Sequence, residues 1–153
     1  MKRILLKTKI GLFGFARFGI FRFLLLFLVE NHGMLLKKLS AIQPFLAGDA
    51  TLIREWLHPE KDGVHLPYSI AFAELEPGAA SLPHCLRSSS EVYLLLEGEG
   101  IAHIDGQPQP LQSGELLLIP AGAEQFIENT GTGHLRFICI VAPAWRSDDE
   151  VVF

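Results

Sequence analysis

The chain has 153 residues, 49% of them apolar and 20% charged, a composition that suits one folded domain and excludes a chain disordered throughout. Its formal charge of −4 hides a division: residues 1–40 hold eight of the 13 basic residues and a single acid, Glu30, whereas residues 41–153 hold the other five against 16 acids. So acidic a body has no electrostatic footprint for nucleic acid, and two cysteines, Cys85 and Cys139, are too few for a disulfide framework or a four-cysteine zinc site.

Residues 1–33 form a basic leader rich in phenylalanine and leucine. The stretch from Gly11 to Val29 is apolar but broken by Arg17 and Arg22, and a spanning helix needs about 20 mostly apolar residues without central charges. Phe23–Val29 is short for the core of a secretory signal, and no small-residue cleavage site follows it. Three readings stay open: an upstream extension ahead of the true start at Met34, a basic amphipathic segment lying on a membrane, or an unusual signal. The body, residues 34–153, is expected in the cytoplasm, with a membrane as partner only if the leader is native.

Leu35–Leu46 has the apolar spacing of a short helix or irregular arm that ends near Pro44. Ala50–Leu57 reads as a strand stopped by His58-Pro59. From Tyr68 onward the pattern is β. Strands are expected around Ile70–Leu75, Glu91–Glu97, Gly100–Asp105, Leu116–Ile119, Gln125–Glu128 and Leu135–Ala142, separated by Gly, Pro and Asn turns. Asp105-Gly106 is a hairpin signal. Short strands at this spacing, with no βαβ alternation and no glycine-rich phosphate loop, predict an all-β sandwich or barrel. The acidic tail Ser147–Glu150 reads as a solvated charge run, with Val151–Phe153 docking on a neighbour. His58, His65 and His134 are expected at the surface, and both cysteines as reduced thiols in the core.

Two stretches have a more specific shape. The first runs Gly78, His84, Leu86, Glu91, Gly98; the second runs Gly114, Pro120, Gly122, Gln125, Asn129. Their spacing resembles the two motifs of the cupin superfamily, whose fold is a double-stranded β-helix or jelly-roll barrel. The resemblance implies that fold, preceded here by a short N-terminal helix or arm. It also implies a centre of three histidines and one glutamate holding a divalent metal. His84 and Glu91 stand at two of those positions, but Leu86 and Gln125 replace two histidines.

In a strand, residues two apart share a face. An imidazole (His84), a carboxylate (Glu91) and an amide (Gln125) should therefore converge inside a mostly apolar barrel, beside Leu86 and Tyr93. His103 is a further candidate for the pocket wall. Such a set would hold zinc, manganese, iron or nickel only weakly, because firm sites use two or three imidazoles with a carboxylate. The other reading is a hydrogen-bonded polar cluster in which protonated His84 pairs with Glu91. No Ser–His–Asp or Cys–His arrangement is visible. The expected function is binding of a small molecule in the barrel pocket, with a metal-dependent isomerase, dioxygenase or decarboxylase as the alternative, in a protein that forms a homodimer.

Overall fold

In the computed structural model, residues 33–153 are described; the leader, with its three readings, lies outside the described residues. The two-residue apolar period noted above buries one face of each strand, and the described residues form 11 strands in two antiparallel sheets. They are β1 (Phe45–Leu46), β2 (Leu52–Leu57), β3 (Ser69–Leu75), β4 (His84–Leu86), β5 (Ser90–Glu97) and β6 (Glu99–Ile104). The remainder are β7 (Gln107–Gln112), β8 (Leu116–Ile119), β9 (Gln125–Asn129), β10 (Leu135–Ala142) and β11 (Glu150–Val152). One sheet has the order β1-β2-β3-β10-β5-β8 and the other β11-β4-β9-β6-β7. This is the jelly-roll barrel expected from the motif spacing.

Between the sheets, Leu75, Tyr93, Leu95, Ile119, Leu135 and Phe137 of one meet Ala102, Leu111 and Ile127 of the other. Apolar burial of this kind contributes about 25 cal/mol per Å2 removed from water. The motif residues have structural duties here. A Cβ at Gly98, where φ is +87°, would stand 2.6 Å from the His134 carbonyl oxygen. Asn129 Nδ2 donates to the carbonyls of Leu75 at 3.0 Å and Gly133 at 2.9 Å, while its Oδ1 accepts from Gly131 N–H at 3.0 Å. These bonds tie the β9–β10 turn to the end of β3.

Leu35–Leu46 is the short helix or irregular arm expected, a single 3-10 turn at Leu39–Ala41 after which the chain extends into β1. One strand was not foreseen, and two expectations are corrected. Asp105 and Gly106, with φ of +50° and +74°, turn the chain into β7, whose sequence QPQPLQ has no apolar alternation to announce a strand. Pro108 and Pro110 are tolerated because β7 lies at the edge of its sheet. The tail docks on its own chain: Val151 pairs with Cys85 and Val152 with His84. His58 is buried, 5% exposed, with its Nε2 3.0 Å from the Trp145 carbonyl oxygen. It precedes a single helical turn, α1 (Pro59–Asp62). Among the described residues, no helix is long and apolar enough to cross a membrane.

Candidate functional site

Strand parity builds the site. In β4, His84 and Leu86 face the interior, each 3% exposed, and Cys85 between them faces away. His84 lies directly opposite Gln125 of β9. In β5, Glu91 and Tyr93 face the same interior, and their partners across β10 are Val141 and Cys139. His84, Leu86, Glu91, Tyr93 and Cys139 thus line one cavity of about 230 Å3.

Gln125, 1% exposed, sits behind the cavity wall and donates from Nε2 to Glu91 Oε2 at 2.8 Å. Its Oε1 is buried without a partner. His103 does not join the group. Its parity neighbour Ala102 takes the interior position, and the His103 ring stacks on Phe126 outside, with centroids 4.2 Å apart.

His84 and Glu91 do not form the expected ion pair. His84 Nδ1 lies 2.9 Å from the Leu82 carbonyl oxygen and 3.8 Å from Asp49 Oδ2. Asp49 is held there by a tight turn in which Ala50 has φ +66°. The Asp49 carboxylate accepts from Thr51 N–H at 3.1 Å and from Thr51 Oγ1 at 2.7 Å. The turn is fastened to the segment before β4 by Leu82 N–H, which donates to the Asp49 carbonyl at 2.6 Å.

Burial pushes the Glu91 carboxyl up to about 7, against the opposing pull of His84, the Gln125 amide and the Cys139 thiol. Burial, reinforced by the Glu91 charge, raises the Tyr93 hydroxyl and the Cys139 thiol well above their ordinary values, so both stay protonated.

Three contributors were not foreseen as site residues: Asp49, Cys139 and Glu150. Parity from Phe137 through Cys139 to Val141 was the available signal for the thiol. The Gly48-Asp49-Ala50-Thr51 stretch announces an Asx turn but not its neighbour. Glu150, in the acidic tail, reaches the cavity wall because β11 pairs with β4. Burial raises its carboxyl above the ordinary value, opposed by His84 and reinforced by Asp49.

These donors do not fit a firmly held divalent metal. His84 Nε2 and the Glu91 carboxylate are available. The position beside them is the Leu86 side chain, and the Gln125 amide nitrogen is turned to Glu91 as a donor. Among the described residues, no group of three or more His, Cys, Asp or Glu side chains is arranged to hold a metal ion.

The comparisons with known proteins agree with the fold. A cupin-domain family model matches residues 71–141, from β3 to the end of β10. An uncharacterized protein of Methanocaldococcus jannaschii is 33% identical over 112 residues, covering 72% of this chain and 88% of that one. Among solved structures, a predicted oxalate decarboxylase from Thermotoga maritima superposes with a TM-score of 0.64 at 25% identity, covering 71% of this chain and 99% of that one. The nucleoside dehydratase Pac13 of Streptomyces superposes with a TM-score of 0.64 at 16% identity, covering 79% of this chain and 92% of that one. With its two spaced motifs, its two-sheet barrel and these relatives in agreement, the chain belongs to the cupin superfamily.

Proposed function

We propose that this protein binds a small organic molecule in the barrel cavity, with His84 and Glu91 as the polar wall and Gln125 as the residue that orients Glu91. One observation carries the reading. The positions that hold metal in relatives of this pattern here supply one imidazole, one carboxylate and a leucine on the wall of a cavity otherwise largely apolar, and behind it an amide bonded to that carboxylate. Such pockets bind by apolar burial and use a few placed polar groups for orientation. That a nucleoside dehydratase and a predicted oxalate decarboxylase share the fold supports a small-molecule ligand. Both cysteines are free, which supports a reducing compartment such as the cytoplasm.

A second reading is favoured by His84 Nε2, which has no protein partner among the described residues. It is a weakly held zinc, manganese, iron or nickel ion serving an isomerase, dioxygenase or decarboxylase. Calorimetric titration with zinc and manganese separates the two. Wild type should bind neither ion at micromolar concentration. The double variant Leu86→His with Gln125→His should bind at least about tenfold more tightly, because two imidazoles are added to a preformed scaffold. Micromolar binding by wild type would favour the second reading. No gain in the double variant would mean that the four positions do not converge.

A further inference from the structure

The charge of the ligand can be argued from the cavity's polar end, on the premise that the cavity is a ligand site. That end is rich in acceptors. Asp49, Glu91 and Glu150 all reach its wall. Glu150 Oε2 lies against the turn that carries Asp49, 3.6 Å from where a Cβ on Gly48 would stand. His84, 3% exposed, also reaches the wall: Nδ1 donates to the Leu82 carbonyl 2.9 Å away, and Nε2 has no protein partner among the described residues. Among the described residues, Lys61 is the one Lys or Arg on the wall, and its Nζ is already paired with Glu55 at 2.6 Å. Carboxylates in a recess of this kind need donors or positive charge to offset lost hydration.

We propose that the cavity takes a small amphiphilic cation: a primary ammonium received by Asp49 and Glu150, on a short apolar body lying against Tyr93 and Phe137. An ammonium has three donors and no acceptor, the complement of this wall. A carboxylate ligand would instead meet like charge.

The test is calorimetric titration of the full chain with 2-phenylethylamine, 2-phenylethanol and phenylacetate, which share a body and differ in head group. The amine should bind at least about tenfold more tightly than the alcohol, and phenylacetate not measurably. Glu150→Gln should weaken the amine about threefold or more and leave the alcohol unchanged. Asp49→Asn should do the same and serves if Glu150→Gln fails to fold. Glu124→Gln, an exposed control, should change neither.

If the alcohol or phenylacetate binds as tightly as the amine, the cation is the wrong choice while the cavity remains a ligand site. If Glu124→Gln weakens the amine as much as Glu150→Gln, the attraction is diffuse and the inference fails. If none of the three binds at millimolar concentration, both this inference and the binding reading fall.

Discussion

Glu91 and Asp149 are both buried carboxylates, and their surroundings drive them in opposite directions. Glu91 moves from an ordinary 4.5 up to about 7, chiefly through burial. The folded protein therefore holds this proton more tightly than the unfolded chain does. The resulting stabilisation is complete below pH 4.5, declines as pH rises and is gone above about pH 7. Its size is of order 3 kcal/mol. Unfolding midpoints of wild type should fall between pH 5 and 7.5, and Glu91→Gln should remove that fall; an unchanged slope in the variant would assign it to other groups. Burial also acts to raise Asp149, but hydrogen bonds from Ser88 and Ser89 outweigh it and hold the carboxyl below its ordinary value. That stabilisation is present at neutral pH and is lost as pH falls below the unfolded value of 3.8. Asp149 accepts from Ser88 N–H at 2.9 Å, Ser88 Oγ at 2.6 Å and Ser89 N–H at 3.1 Å. Asp149→Ala leaves those donors unpaired and should cost about 2–3 kcal/mol in urea denaturation at pH 7.

Among the elements, β6 and β4 set the site's precision. β6 pairs with β9 in unbroken register from Gly100↔Asn129 to Ile104↔Gln125, which fixes the inward set of β9. The register depends on close approach at Gly100. A Cβ there would lie 2.5 Å from the Glu128 carbonyl oxygen and 2.9 Å from Leu135 Cδ2. Gly100→Ala should therefore lower stability by about 1–3 kcal/mol, read as a drop in thermal midpoint; a neutral outcome would mean the strands can separate without loss. β4 has only three residues and is held between β11 and β9. The C-terminal strand is thus part of the support for His84, and the Asp49 turn is hydrogen-bonded to Leu82 just before β4.

At the scale of the molecule, the six-stranded sheet ends in two edges that differ from the prolines of β7. β1 leaves Phe45 47% and Leu46 67% exposed, and β8 leaves Leu116 59% and Leu118 63% exposed. Apolar edges of this kind favour pairing with another chain unless they are covered. The expected arrangement is a homodimer that covers one of these edges. Multi-angle light scattering of the full chain should give twice the monomer mass at tens of micromolar, and a monomer at that concentration would refute it. Leu116→Lys with Leu118→Lys should dissociate the dimer if β8 is the covered edge, and should leave it intact if the edge is β1.

Local periodicity was enough to determine the β class, most strand positions and the turn at Asp105-Gly106, because a half-buried strand repeats every two residues and a type I′ turn demands a residue pair tolerant of positive φ. Motif spacing likewise indicated the barrel and brought His84, Leu86, Glu91 and Tyr93 to one cavity, since parity within a strand is a local property. Other features depended on which strands lie side by side. β7 was silent because edge strands need no apolar face, and His103 was misplaced because a six-residue strand does not reveal which of its faces is inward. Glu91 accepts from Gln125 rather than from His84, whose Nδ1 is turned to the Leu82 carbonyl. Asp49 and Glu150 are separated by 101 positions in the chain, and only the pairing of β11 with β4 and the docking of the Asp49 turn at Leu82 bring both carboxylates to one wall. Contacts between such distant residues arise from packing, which leaves no periodic trace in the sequence.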